Sequence, residues 1–137
     1  MPSASSVDRL PIYFDSSALV KLVADEPESN ALRDFVDGIT ERVVSSVIAV
    51  VEVRRAARRY EAEDRAVEVI EKLAKLQVRT AILESAAGLE PLALSSLDAI
   101  HLASALSIRT ELDGFVVYDS RLAAAAASAG LRVLAPS

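Results

Sequence analysis

Residues 11–20 read PIYFDSSALV, an apolar run that gives way to three polar residues and then to a second apolar run. Pro11–Phe14 (PIYF) is a brief apolar run rich in strand formers, as expected of a buried strand. Asp15-Ser16-Ser17 follows, a cluster of helix N-cap residues, and Ala18–Ala24 continues as a helix.

The same strand-to-helix pattern repeats along the chain. Pro27 breaks the first helix, and Glu28–Val36 reads as a second, closed by Gly38. Arg42–Ser45 is a second short strand. Ser46 is expected to cap a helix running to about Tyr60. A longer amphipathic helix is expected over about Ala62–Leu76, with Ala66, Val69, Ile70 and Leu73 on one face. Val78–Leu83 is ambiguous, with a short strand as one reading, and Glu84–Leu89 makes one helical turn or two. Pro91–Ser96 is a loop and Leu97–Ile108 a helix. Asp113-Gly114 turns into Phe115–Tyr118 (FVVY), another buried strand. Asp119-Ser120 starts an Ala-rich helix ending at Gly130, and Leu131–Leu134 is the last strand. Short apolar strands alternating with helices predict an α/β, three-layer α/β/α fold around a central short-stranded parallel sheet. Residues 1–9 read as a flexible lead-in and 10–137 as a single domain.

Composition narrows the chemistry. The chain has 137 residues, 52% of them apolar, enough to build a core. The longest apolar run, Leu122–Ala127, is far short of the ~20 residues of a membrane helix. The opening MPSASSVDRL lacks a basic start followed by an apolar stretch, so no secretory signal is expected. With no cysteine, disulfides, thiolate zinc sites and thiol nucleophiles are excluded, which fits a reducing, cytoplasmic setting. The single histidine, His101, excludes a multi-histidine metal site. The formal net charge of −5 argues against loose electrostatic binding of nucleic acid, though not against a local basic patch or a metal that neutralises clustered acids.

Most of the acids lie in polar surroundings. Four are embedded in apolar sequence: Asp15 in YFDSSAL, Glu52 in VVEVR, Asp98 in SLDAIHL and Asp119 in VVYDSRL. An isolated ionised carboxylate in such company costs several kcal/mol unless it is paired or liganded. Asp15 and Asp119 each follow a predicted strand, Glu52 lies two turns into its helix, and Asp98 lies in the first turn of its own. All four can reach the carboxyl edge of the sheet, where open α/β folds place their sites. Gathered there, they repel one another unless a divalent cation sits among them. Oxygen-only ligands suit Mg2+, with Mn2+ as the alternative. Plainer roles also fit each acid singly. Asp15 and Asp119 suit N-caps, Asp98 suits a capping box with Ser95, and Glu52 suits a salt bridge to Arg55.

At these residues the sequence resembles the PIN-domain ribonucleases, and within them the VapC toxins of type II toxin–antitoxin pairs. IYFDSSALVKL resembles the first family motif, SSVIAVVEV the second, LSSLDAIHLASAL the third, and FVVYDSRLAAAAASAGLRVL the fourth with its closing helix and strand. The resemblance implies a PIN fold with Asp15, Glu52, Asp98 and Asp119 as the acidic, metal-holding site, supported by the Ser16 hydroxyl. Val117 stands where many members carry Thr. The implied activity is that of a Mg2+-dependent endoribonuclease, cleaving structured cellular RNA such as tRNA or rRNA and leaving a 5′-phosphate and a 3′-hydroxyl. A VapB-like antitoxin and a homodimer are the implied partners. A non-catalytic PIN-fold module that binds RNA or protein is the rival reading. An aspartyl-phosphate enzyme using Asp15 is a poorer one, since Ser17 replaces the second acid of the usual D-x-D motif.

Three lesser signals accompany the acids. His101 lies three residues after Asp98 on the same helix face, where a packed or hydrogen-bonded role is expected ahead of contact with metal or RNA. Arg54, Arg55, Arg58 and Arg59 form a basic stripe beside Glu52. Lys21 and Arg121 are candidate phosphate contacts. Apolar residues of the first two helices, among them Leu19, Leu22, Phe35 and Val36, outnumber the evident needs of one small sheet and suit either core packing or a groove for a partner helix.

Overall fold

The strand formers of PIYF pair on both sides, which is why they are buried from end to end. A computed structural model describes residues 10–137; the predicted lead-in lies outside them. Strand β1 (Ile12–Phe14) lies at the centre of a five-stranded parallel sheet of order β3-β2-β1-β4-β5. The others are β2 (Val43–Ser46), β3 (Ala74–Leu76), β4 (Gly114–Val116) and β5 (Val133–Leu134). Among the described residues the α-helices are α1 (Ser16–Val23), α2 (Ser29–Val36), α3 (Ala49–Arg59), α4 (Glu63–Glu71), α5 (Thr80–Ala87), α6 (Ser96–Ser107) and α7 (Ser120–Ser128).

Alternation along the strands splits the core in two. Ile12, Phe14, Val43 and Val116 pack with Leu19 of α1, Leu32 of α2, Val53 of α3 and Ile70 of α4. Tyr13, Val44 and Phe115 point the other way, against Leu102 of α6 and Leu122 of α7. Helices therefore cover both faces, and the three-layer α/β/α architecture is as expected from the sequence. None of the described helices is long and apolar enough to cross a membrane.

Several local readings need correction. The predicted helix over Ala62–Leu76 stops at Glu71, and its last residues form β3. Ala, Lys and Leu are helix formers, but β3 is an edge strand in register with Val44–Ser46, and that pairing outweighs propensity. The ambiguous stretch after Val78 resolves into α5, without a strand. Ser46 does not cap α3. It is the last residue of β2, the helix begins at Ala49, and the Ser46 hydroxyl accepts the Ile48 N–H at 3.2 Å. Glu52 consequently lies in the first turn of α3 rather than two turns in.

β4 begins one residue earlier than FVVY because Gly114 joins the sheet opposite Ile12. A Cβ at this position would lie 2.6 Å from Leu134 Cδ1, so a larger residue would oblige the Leu134 side chain to shift.

Candidate active site

Parallel strands deliver their chain exits to one edge, and the loops and helix starts there carry the four acids. Asp15 leaves β1 and caps α1, its Oδ1 accepting the Ala18 N–H at 3.0 Å. The Ser17 hydroxyl donates to the same carboxylate, at 2.8 Å to Oδ2 and 3.1 Å to Oδ1. Asp15 is 3% exposed. Burial raises its carboxyl above the ordinary range and the charge of Asp98 adds to this, against the lowering effect of Ala18, Ser17 and His101.

Asp98 stands in the first turn of α6, where its backbone N–H donates to the Ser95 hydroxyl at 3.1 Å, the capping contact that S-x-x-D suggested. Burial raises its carboxyl too, helped by the charge of Asp119 and, less, of Glu52. Asp98 therefore lies in the electrostatic field of all three other acids. Asp119 is exposed and caps α7, its Oδ1 accepting the Leu122 N–H at 2.9 Å. The plain capping roles are thus real for Asp15 and Asp119, and the same caps bring both acids to the shared edge.

Glu52 is held differently. Its Oε1 accepts the Ser16 hydroxyl and lies 2.9 Å from His101 Nε2. Burial pushes its carboxyl up, but the His101 and Ser16 hydrogen bonds more than offset this, and it settles below the ordinary range. The alternative salt bridge to Arg55 is not formed. Arg54, Arg55, Arg58 and Arg59 are all exposed, without an ion pair among the described residues.

Lys21 is no free phosphate contact. It pairs with Glu28 at 2.7 Å and Glu26 at 3.4 Å, over the Tyr118 ring. Arg121 remains exposed. Val117, 1% exposed, is part of the core beneath the edge. His101 is 1% exposed and hydrogen bonded on both ring nitrogens, the packed role expected of it, but its partners include Ser16 and Glu52. Helical spacing from Asp98 hinted at His101; Tyr13, its other partner, carried no signal beyond that of a strand residue.

Among the described residues no three acid or imidazole groups form a ready-made cage for an ion. What the edge offers is an open set of oxygen donors, two of them carboxylates whose ionisation is penalised. That donor chemistry fits a hard, partly hydrated divalent cation, since Mg2+ is usually held by one or two carboxylates plus water and substrate phosphates.

The family model described as PIN domain matches residues 12–132. "Ribonuclease VapC46" of Mycobacterium tuberculosis is 42% identical over 128 residues, spanning 92% of this chain and 98% of that protein. "Ribonuclease VapC35" of the same organism is 41% identical over 130 residues, spanning 91% and 96%. Among solved structures, a toxin–antitoxin complex from Klebsiella pneumoniae aligns with a TM-score of 0.70 at 22% identity, covering 92% of this chain and 98% of that one. Mycobacterium tuberculosis VapC20, described as a sarcin–ricin loop cleaving toxin, aligns with a TM-score of 0.70 at 16% identity, covering 91% and 99%. At these identities the structural likeness speaks for the fold.

Proposed function

The chain belongs to the PIN-domain family and, within it, to the VapC ribonucleases, and from this premise we propose that it is a Mg2+-dependent endoribonuclease, the toxin of a type II toxin–antitoxin pair. The observation that carries this reading is the electrostatic one. Asp98 lies in the field of Asp119, Glu52 and Asp15, and burial works against its ionisation. A divalent cation relieves that penalty and lets RNA phosphate approach an edge that is otherwise negative. Asp15 and Asp98 hold the ion, with Glu52 and Asp119 completing the acidic set and Mn2+ as a substitute. Bound there, such an ion lowers the pKa of a coordinated water and stabilises charge on the phosphoryl oxygens. The chain's own contribution is to aim the carboxylates and, at Glu52 alone, to favour the anion. Ser17 and the Ala18 N–H hold Asp15, and Ser16 holds Glu52.

Structured cellular RNA, tRNA or rRNA, is the expected substrate, and the exposed arginines of α3 supply its phosphate contacts. A VapB-like antitoxin is the expected inhibitor. A groove of about 220 Å³ lined by Leu19, Leu22, Val36, Val69 and Leu73 suits its apolar helix. A homodimer is the expected assembly, covering exposed Leu83, Leu92 and Leu97. The whole stretch 10–137 acts as one PIN domain in a cytoplasmic setting.

The test is cleavage by purified protein with and without Mn2+. Asp15→Asn and Asp98→Asn should each lower the rate at least about 100-fold while circular dichroism stays unchanged, beyond what loss of a mere supporting partner costs a metal site. Full-rate cleavage by either variant would overturn the site. A wild-type chain that takes up no Mn2+ in calorimetry would favour the non-catalytic module.

A further inference from the structure

Four polar side chains from four elements meet at one buried point beside the acids. Tyr13 comes from β1, Ser16 from α1, Glu52 from α3 and His101 from α6. The Tyr13 hydroxyl lies 2.7 Å from His101 Nδ1. On the other side of the ring, Nε2 lies 2.8 Å from Ser16 Oγ and 2.9 Å from Glu52 Oε1. A hydroxyl has one hydrogen, and Ser16 donates its own to Glu52. Ser16 Oγ must therefore accept from His101, so Nε2 carries a hydrogen that Ser16 and Glu52 share. In the neutral ring Tyr13 then donates to Nδ1, which holds the tautomer.

Every group in this set is spoken for except one. Glu52 Oε1 takes two donors, while Oε2 has no protein partner among the described residues. A buried imidazole needs a partner on each nitrogen, one donor and one acceptor, so what matters is which partners they are. Here both are used, and the far end of the chain of bonds is a carboxylate of the acidic edge.

We propose that His101 is a positioning residue for Glu52: locked by Tyr13, its Nε2–H pins Oε1 inward and leaves Oε2 available to the cation. The inference rests on the nuclease reading above and deepens it. Ligating carboxylates are commonly held by such outer hydrogen bonds, whose loss costs roughly 10- to 100-fold in metal affinity or activity.

The experiment measures Mn2+ binding to the tag-free full chain by calorimetry, without RNA, for wild type and for His101→Leu, His101→Asn and His101→Gln. Gln places an amide N–H near the position of Nε2 and should bind within about threefold of wild type, whereas Leu and Asn, which cannot reach Glu52, should bind at least about tenfold more weakly. The Mn2+ concentration giving half-maximal cleavage should shift in the same order, with the KM for RNA unmoved. If Leu proves too disruptive to fold, the Asn and Gln pair decides. Equal Mn2+ affinity in wild type and the Asn or Leu variant would overturn the inference and leave the nuclease reading standing. Failure of wild type itself to bind Mn2+ would remove the nuclease reading, and this inference with it.

Discussion

Glu52 Oε1 and His101 Nε2 stand 2.9 Å apart, although 49 residues separate them in the chain. This contact sets Glu52 apart from its neighbours. Glu52 is held below the ordinary carboxylate range, against burial, while Asp15 and Asp98 are pushed above it. Of these three acids, the protein stabilises Glu52 as an anion and disfavours the anions of Asp15 and Asp98.

Opposite signs on stability follow. A carboxyl whose folded pKa is raised binds its proton more tightly in the folded state, so its penalty is absent below the unfolded pKa of about 3.9 and complete above the folded value. Asp98→Asn should therefore raise the melting temperature of the metal-free protein at pH 7, and the gain should shrink as pH falls towards the unfolded value. The Ser95 cap survives this change, because the bond uses the backbone N–H. Glu52→Gln should do the reverse. A lowered folded pKa contributes stability above the unfolded value that is lost as pH falls through the folded one, so the variant should melt lower at pH 7. Scanning calorimetry in EDTA from about pH 7 to about pH 3.5 reads both; a lower melting temperature for Asp98→Asn at pH 7 would contradict the first.

The same shifts set the acid limb of activity. Protons and metal compete for the carboxylate oxygens. Cleavage should fall off on the acid side at a pH above the ordinary carboxylate value of about 4, and the limb should move to lower pH as Mn2+ is raised. Rate–pH profiles at two Mn2+ concentrations test this. A limb that ignores the metal would place the controlling proton elsewhere.

Arg54 and Arg58 lie one turn apart on α3, exposed and free of ion pairs among the described residues. If each neutralises one phosphate, replacing both with Ala should flatten the plot of log affinity against log salt by about 1.4, at roughly 0.7 per contact for a single strand. Fluorescence anisotropy with a labelled RNA, in an Asp15→Asn background to prevent cleavage, measures the slope. An unchanged slope would assign the stripe to another partner.

Leu22 lines the groove between α1, α2 and α4. Leu22→Glu should weaken inhibition by the VapB-like antitoxin proposed above at least about tenfold, the scale of a central apolar contact, and leave uninhibited cleavage intact. Inhibition titrations of wild type and variant decide it, and equal inhibition would move the antitoxin to a different surface.

Local information carried far in this chain. PIYF followed by Asp15-Ser16-Ser17 specified a buried strand and a capped helix, because alternation and capping depend on near neighbours. Four acids in apolar surroundings were conspicuous for the same local reason, since an ionised carboxylate there calls for a partner. β3 was hidden because Ala74-Lys75-Leu76 has the composition of a helix, and only pairing with β2 makes it a strand. The first-turn position of Glu52 depended on where β2 released the chain. His101 and Tyr13 are 88 residues apart, and neither spacing nor propensity connects them. Their bond exists because a parallel sheet brings β1 and α6 to one buried point, where each polar atom must find its partner inside the protein.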